Sequence, residues 1–294
     1  QAATALPDPL PWTTLVGRAY RLSASSAAPD LTGASLSFMY VGNEVSSEME
    51  PWLRLYFWDG STWQQLPTEL DPDHNNASCP VPGPGLYALM ASVEIPLYGP
   101  GWNLVSYPIQ ETRPVTQALL SISGYYTTVY GFDAASETWY MYDVTAQPYA
   151  NTLDVLEYAH GYWINVSDTI TLYLQGDSTI GPLERTTLQS PPSSFYGPVL
   201  GGTDFTPAAG MPVTATVDGA VCAQGKTLLY EGDVVYALHV LGGTGCGHLG
   251  DEIVFEVDGQ TMAPRPVWDN HRVRRVPLEP EGGHEIYLPL VIRQ

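Results

Sequence analysis

Two stretches of the chain share one strand-turn-strand pattern, and this repeat constrains the fold more than any other feature. Residues 56–63 read YFWDGSTW and residues 130–139 read YGFDAASETW. In each, an aromatic strand leads into an acidic turn, and Thr-Trp follows the turn. A strand with a tyrosine comes later in both, 24 residues after Trp63 (Tyr87) and 23 residues after Trp139 (Tyr162). Aromatic and β-branched residues at period two, interrupted by turn residues, are typical of sheets with one buried face. The repeat predicts β-hairpins.

The length predicts more than one domain. A typical domain has about 100–150 residues, whereas the chain has 294. We expect an all-β, mainly antiparallel protein of three consecutive β-sandwich, immunoglobulin-like or small-barrel modules, with one or two short helices in the middle module. The predicted boundaries are an extended lead-in at 1–28, a β-sandwich at 29–97, a β-rich module at 98–178, an immunoglobulin-like sandwich at 179–278, and a hinge with an apolar strand at 279–294.

The third module has the clearest strand pattern. Residues 213–217, 234–240 and 253–257 alternate apolar side chains at period two. The first and last of these segments end in Asp-Gly, at Asp218-Gly219 and Asp258-Gly259, a dipeptide typical of two-residue hairpin turns. The pattern predicts an immunoglobulin-like or prealbumin-like sandwich.

Short helices are predicted in the middle module. Residues 114–122 space apolar side chains three and four apart behind Pro114, which is favourable near a helix start. Residues 151–158 carry Leu153 and Leu156 and predict another helical turn.

The net charge of the chain limits the classes of partner that we expect. Asp and Glu number 31 against 11 Lys and Arg, for a net charge of −20. Because such a charge repels phosphate backbones and anionic lipid surfaces, we expect no nucleic-acid partner. No run approaches the roughly 20 apolar residues that cross a bilayer, so we expect no membrane insertion. The chain begins at Gln1 with no apolar leader, and we expect a processed or truncated product, extracellular or at the cell surface, from which any signal peptide has been removed.

Three cysteines and one lysine bear on covalent crosslinks. Cys222 and Cys246 lie 24 residues apart within one predicted module, each beside turn residues, which favours a disulfide in an exported protein. Cys79 is left over, as a buried free thiol or an intermolecular link. Lys226, the single lysine, lies in a pattern typical of a solvated hairpin, and an intramolecular bond to Asn or Asp is the alternative.

The sequence holds no motif that predicts a reaction centre. Its six histidines have no ligand spacing, and it contains neither a GxSxG nucleophile motif nor a P-loop. The Gly-rich residues 242–247 precede no helix pattern and therefore predict a loop held by Cys246. We expect that the protein is not an enzyme.

One turn is a candidate calcium site. Asp71, Asp73 and Asn75 alternate as D-x-D-x-N, which presents oxygen ligands to Ca²⁺. A complete EF-hand loop requires Gly at its sixth position and Glu at its twelfth, where this chain has Asn76 and Pro82. A simple polar turn is the alternative, and Ca²⁺ is the one cofactor considered.

Exposed aromatic residues offer a second candidate surface, because aromatic faces pack on sugar rings. Alternation within strands directs about half of them into the core, so core packing competes with sugar binding for each residue. The candidates are Trp58, Trp63, Tyr125, Tyr126, Trp139, Tyr140 and Tyr142.

The last segment is nearly all apolar and follows a flexible hinge (EPEGG, residues 279–283). An exposed strand of this kind aggregates unless something covers it. Three interpretations are open. The segment docks on its own module as an edge strand, where Pro289 is tolerated. Alternatively, it inserts into a groove or sheet edge of another copy, or it serves as a sorting tag. The predicted assembly residues are Ile286, Tyr287, Leu288, Leu290, Val291 and Ile292.

Three segments resemble secreted surface proteins of filamentous phototrophic and Anaerolineae-type bacteria (Chloroflexota). Residues 101–108 (GWNLVSYP) with 161–164 (GYWI) look like a GWNLxxxP…GYWI module. The stretch from GMPVTA (210–215) through Cys222 and Cys246 to VFEVDG (254–259) and VWDN (267–270) is similar to an immunoglobulin-like module, and YLPLVIR (287–293) resembles a C-terminal YLPLVLR signature. The resemblance implies export, all-β modules and a structural or accessory role.

These observations predict an extracellular structural or adhesive protein, a subunit of a surface layer, sheath or fibre whose partners are other copies of itself. Assembly would proceed in part by β-strand donation from the terminal segment. The alternative is a non-catalytic, polysaccharide-binding or accessory C-terminal region of a secreted hydrolase.

Overall fold

The computed structural model describes residues 6–23, 31, 33–42, 45, 49–176, 190–243 and 245–282. Strands make up 51% of the structure and helices 6%, which confirms the all-β prediction. The residues group into two compact units, which are described separately: 1–126, 154–162 and 166–184 in the first, and 127–153, 163–165 and 185–294 in the second.

The elements follow one another in short strands joined by turns. The first strands are β1 (Thr14–Leu22), β2 (Ser35–Met39), β3 (Leu53–Trp58), β4 (Trp63–Gln65), β5 (Glu69–Asp71), β6 (Asn76–Pro80), β7 (Gly85–Ala91), β8 (Val93–Leu97), β9 (Gly101–Ser106) and β10 (Arg113–Pro114), followed by the helix α1 (Val115–Ala118). Next come β11 (Tyr126–Asp133), β12 (Thr138–Asp143), β13 (Val155–Leu156), β14 (Gly161–Val166), β15 (Ile170–Leu174), β16 (Ser193–Pro198), β17 (Pro212–Val217) and β18 (Ala220–Lys226). The last are β19 (Leu228–Tyr230), β20 (Asp233–Val240), β21 (Val254–Val257), β22 (Gln260–Ala263), β23 (Arg274–Arg275) and β24 (Glu279–Pro280). Four 3-10 turns lie at Glu50–Trp52, Pro72–His74, Leu120–Ile122 and Pro148–Ala150.

The first unit is built around β7. Its main sheet has the strand order β1-β7-β3-β4, a second sheet has the order β2-β6-β5, and β8 pairs with β15. Six consecutive residues of β7, 86–91, are buried, because β7 has a neighbour on each edge and packed side chains on both faces. The core beside it contains Ala19, Tyr56, Trp63, Leu86, Ala88 and Met90.

Both copies of the aromatic repeat form the predicted hairpins. Trp58 lies opposite Trp63 across β3 and β4, and Phe132 lies opposite Trp139 across β11 and β12. In each loop the first aspartate accepts backbone hydrogen bonds, Asp59 Oδ1 from Ser61 N at 2.8 Å and Asp133 Oδ1 from Ala135 N at 2.9 Å. This local bonding explains why an acidic residue begins both turns.

The predicted sandwich lies in the second unit. One sheet has the order β19-β20-β16-β23 and the other β18-β17-β21-β22-β24. Phe195 of the first sheet packs edge-on against Phe255 of the second, with 5.5 Å between ring centroids. The three strands predicted from period-two alternation are confirmed, and their inward side chains share one buried core with Tyr236 and Trp268.

Three hairpins of this unit close with two-residue loops in which both residues have positive φ. This is the geometry of type I′ turns, which matches the twist of paired strands. Two of them are the predicted Asp-Gly turns, and the third was not predicted, since Glu is unusual at a position with positive φ. They are Asp218-Gly219 (φ 48° and 81°), Asp258-Gly259 (51° and 81°) and Glu231-Gly232 (51° and 94°).

The helix predictions are half right. Residues 114–122 contain α1 and the 3-10 turn Leu120–Ile122, as predicted. Residues 151–158 instead contain β13, which pairs antiparallel with β10, so the predicted helical turn is wrong. A backbone hydrogen bond of 3.0 Å from Val115 N to Asp154 O holds this short ladder in place, and tertiary pairing overrides the three-residue leucine spacing.

The segment predicted as an extended lead-in contains β1. This strand pairs antiparallel with β7 over two stretches, and the register shifts between Val16 and Tyr20. Gly17 at the shift has φ 62°, the left-handed conformation that a bulged strand requires. The buried residues Val16 and Ala19 are therefore three apart.

Candidate functional site

An open groove lies on the surface of the first unit. Between β1 and the end of β2 lies a groove of about 220 Å³, to which β1 contributes Val16, Arg18 and Tyr20. The opposite wall is formed by Phe38, Met39 and Val41. We call it the β1–β2 groove.

Each wall of the groove is an edge strand. In the described part of the chain, β1 is the outermost strand of the sheet β1-β7-β3-β4, and β2 is the outermost strand of the sheet β2-β6-β5. An edge strand presents backbone N–H and C=O groups that pair readily with an added strand. The groove thus combines apolar side chains with the polar backbone groups of two strand edges, and Arg18 is exposed in one of its walls.

The groove has an apolar floor and an exposed apolar rim. Phe38 and Leu89 are buried at its base, at 7% and 2% exposure. Met39 is 84% exposed, Val41 59% and Tyr20 44%. These three exposed apolar side chains therefore surround one opening.

Aromatic packing and one polar contact hold the walls. The Tyr20 and Phe38 rings meet edge-on with 5.4 Å between centroids. The Tyr40 hydroxyl donates a hydrogen bond of 2.6 Å to Glu50 Oε1. Burial, and then that hydrogen bond, raise the pKa of Tyr40 above its usual range, so the phenol stays a neutral donor.

The predicted disulfide between Cys222 and Cys246 is confirmed, with 5.5 Å between their Cα atoms. Cys246 lies in the Gly-rich loop, where its N–H donates to Gly243 O at 2.9 Å. Trp268 lies under this loop and donates from Nε1 to Val240 O at 3.0 Å. A Cβ on Gly242 would come within 2.6 Å of the Trp268 ring, and a Cβ on Gly247 would overlap it, so both positions require glycine.

Cys79 and Lys226 are placed by the structure in different surroundings. Cys79 is a free thiol in β6 with 2% exposure, and burial raises its pKa. Lys226 is exposed at the end of β18, as the solvated-hairpin interpretation predicts.

The candidate calcium residues form a tight polar turn. Asp71 precedes the 3-10 turn Pro72–His74, and its Oδ2 lies 2.8 Å from His74 Nδ1. Asn75 ends the turn in the left-handed region at φ 49°. Asp73 is exposed within it. Over the described ranges, no group of three or more His, Cys, Asp or Glu side chains is arranged to hold a metal ion.

The aromatic candidates for sugar stacking divide between core and surface. Trp63, Tyr126 and Trp139 are buried at 5–7% exposure. Trp58 and Tyr142 are half-buried, and Trp58 packs edge-on against Trp63 at 5.5 Å. Tyr125 and Tyr140 are exposed. Three of the seven candidates are therefore core residues, and two have an exposed ring.

Sequence reasoning did not single out a polar link inside the second unit. Tyr130 donates a hydrogen bond of 2.6 Å to Ser194 Oγ, which lies 2.7 Å from His239 Nδ1. Burial lowers the pKa of His239 to about 4. Ser194 is only 2% exposed and His239 is half-buried, so this serine-histidine pair connects neighbouring strands with little contact to solvent. No sequence motif marks it, because its members come from three separate strands.

The predicted assembly residues, 286–292, lie outside the described residues. Within the part of the chain that the structure describes, no helix has the length and apolar character needed to span a membrane. The chain matches no protein-family model, and comparison with curated proteins and with solved structures finds no match.

Proposed function

We propose that this protein is an extracellular structural or adhesive subunit of a surface layer, sheath or fibre. Residues 286–292 of one copy add as a β-strand to an open sheet edge of another. The segment is apolar at six of its seven positions, with Pro289 as the exception. Exposure of such a strand to water is unfavourable. At a sheet edge its backbone forms hydrogen bonds and its apolar side chains become buried.

The observation that carries this proposal is the presence of outermost strands with exposed apolar side chains in both units. In the described residues β1 is the outermost strand of one sheet and β19 of another. Tyr20 of β1 is 44% exposed and Leu229 of β19 is 64% exposed. Natural sheets usually protect such edges with charges, proline or a covering segment.

Three further features support this proposal. The Cys222–Cys246 disulfide is of the kind that oxidising compartments maintain. The net charge of −20 keeps separate copies soluble until a specific contact forms. The resemblance of residues 101–108 and 287–293 to bacterial surface proteins is consistent with the same proposal. We propose no catalytic role.

Deletion of residues 284–294 tests this function. The full chain, incubated at neutral pH, is expected to form filaments or lattices in electron micrographs and to sediment as large species. The deletion variant should remain a folded monomer with an unchanged circular dichroism spectrum. Removal of residues 1–5 serves as a control that shortens the chain elsewhere and should preserve assembly.

Undiminished assembly of the deletion variant would contradict strand donation. A full chain that stays monomeric but is pulled down by insoluble polysaccharide would instead favour the carbohydrate-binding alternative.

A further inference from the structure

Resting on that proposed function, the geometry points to the β1–β2 groove as the acceptor site, occupied by residues 286–292 of a second copy. Leu288 and Leu290 of the donor enter the groove, and the donor backbone pairs with an edge strand of its wall. Four arguments lead to this assignment.

The size of the groove fits side chains better than a small-molecule ligand. A dry cavity of about 150 Å³ holds one benzene, whereas pockets for small molecules enclose about 300–1,000 Å³. The β1–β2 groove, at about 220 Å³, lies between these values. It therefore suits one or two aliphatic side chains of an extended segment.

The length of the wall fits the donor. Seven extended residues span about 23 Å at about 3.3 Å per residue. β1 has nine residues, so it is long enough to accompany the whole segment. The bulge at Gly17 lies between two stretches of regular register, residues 14–16 and 20–22.

Pro289 determines which edge of the donor pairs. In a strand, side chains and backbone N–H groups both alternate in direction with period two. Positions 287, 289 and 291 face one edge, where proline supplies no N–H. Positions 286, 288, 290 and 292 face the other edge with every N–H present, and this edge pairs with the acceptor. The same alternation puts Leu288 and Leu290 on one face, toward the floor formed by Phe38 and Leu89.

The competing edge at β19 offers less apolar surface on either face. Leu228 and Leu229 are adjacent in sequence, so the strand directs them to opposite faces. Each face of β19 therefore presents a single exposed leucine. At the β1–β2 groove, Tyr20, Met39 and Val41 surround one opening.

A two-chain crosslinking experiment tests the acceptor site directly. The acceptor chain lacks residues 284–294 and carries Met39→Cys, so it cannot donate. The donor chain is full length and carries Leu288→Cys. Under mild oxidation the pair should form a disulfide-linked heterodimer.

A matched control acceptor carries Leu249→Cys, since Leu249 is also apolar and exposed (68%) but lies in the other unit. We expect at least about tenfold more heterodimer with Met39→Cys than with this control, because docking raises the local thiol concentration.

A synthetic peptide of residues 283–294 gives an independent measurement on the shortened acceptor. Met39→Lys together with Val41→Lys should weaken binding at least about tenfold, since a cation at each position opposes burial of the leucines, while Leu249→Lys should leave it unchanged. Replacing Leu288 and Leu290 of the peptide with Asp should abolish binding. Replacing Pro289 with Ala should preserve it.

The outcomes separate the acceptor site from the function. If the full chain assembles but Met39→Cys crosslinks no more than Leu249→Cys, the groove assignment is wrong and strand donation stands. If a full chain that carries both cysteines closes an intramolecular bond, the segment docks on its own copy and the assignment in trans is overturned. If the full chain does not assemble, the proposed function itself fails.

Discussion

Ser194 and His239 face each other across β16 and β20, and the serine Oγ lies 2.7 Å from the histidine Nδ1. Tyr130 donates its hydroxyl hydrogen to the serine oxygen. That oxygen has two lone pairs, so the tautomer of the His239 ring decides whether Nδ1 accepts from the serine hydroxyl or donates to it. The three side chains thus form one link across β11, β16 and β20.

His239 should make the second unit sensitive to moderate acid. Burial lowers its folded-state pKa from 6.5 to about 4. Between these values the unfolded chain binds a proton that the folded chain does not, so the free energy of unfolding falls as the pH decreases from 6.5 to 4. The loss at pH 4 amounts to about 3 kcal/mol. Urea denaturation at pH 7.5, 5.5 and 4 measures it.

The control for this titration is His239→Asn, which keeps a polar group near Ser194 and carries no titratable proton. Over the same pH range, we expect the unfolding free energy of the variant to fall by about 3 kcal/mol less than that of the parent protein. An identical pH dependence in both proteins would assign the acid sensitivity to other groups.

Loss of the disulfide should destabilise the second unit. The bond closes a loop of 24 residues, for which the chain-entropy model gives about 3 kcal/mol. The double variant Cys222→Ala and Cys246→Ala should therefore unfold at a lower denaturant concentration than the oxidised protein. A reducing agent should lower the midpoint of the parent protein and leave that of the variant unchanged. Equal midpoints for the variant and the oxidised parent would contradict a stabilising role.

Gly247→Ala should destabilise the protein because the added Cβ clashes with the Trp268 ring. The new Cβ overlaps the indole ring, which is buried and fixed by hydrogen bonds to Val240 O and Leu241 O. We expect a cost of about 1–3 kcal/mol, typical of an overpacked core. Gly83→Ala is the matched control, since its Cβ would meet no atom within 4 Å. Thermal unfolding of the two variants side by side measures the difference.

Trp139→Ala should act on stability, in contrast to Tyr140→Ala. Trp139 is 6% exposed and packs edge-on against Tyr130 with 5.9 Å between centroids, so its removal leaves a cavity that costs about 3 kcal/mol or more. Tyr140 is the next residue on the same strand and is 36% exposed. Its removal should change the unfolding free energy by about 0.5 kcal/mol or less. Any loss of polysaccharide binding should therefore be assessed with Tyr140→Ala, because Trp139→Ala disturbs the fold.

Local patterns predicted the second unit well and the first unit less well. The strands at 213–217 and 253–257 alternate without interruption and end in Asp-Gly, so period and turn chemistry agree. In β1 the bulge at Gly17 separates the buried Val16 and Ala19 by three positions, and period two disappears. Residues 151–158 show the opposite failure, since a helical spacing occurs in a segment that pairs as a strand.

The groove was beyond sequence reasoning for a different reason. Tyr20 and Met39 belong to separate sheets, and neither residue carries a signal that it is exposed. Only the topology shows that two outermost strands border the same opening. The terminal segment that we propose as the donor, in contrast, was singled out from composition alone, because residues 286–292 are apolar at six of seven positions.

The chain passes from the first unit to the second and back twice before it remains in the second. Residues 127–153 and 163–165 belong to the second unit, while 154–162 and 166–184 belong to the first. Any single cut of the polypeptide therefore removes part of at least one unit. Neither half is available as an independent fragment for expression, exchange or domain shuffling. Limited proteolysis at one peptide bond should yield a nicked protein whose pieces remain associated, and an evolutionary rearrangement would have to carry the entire stretch as one piece.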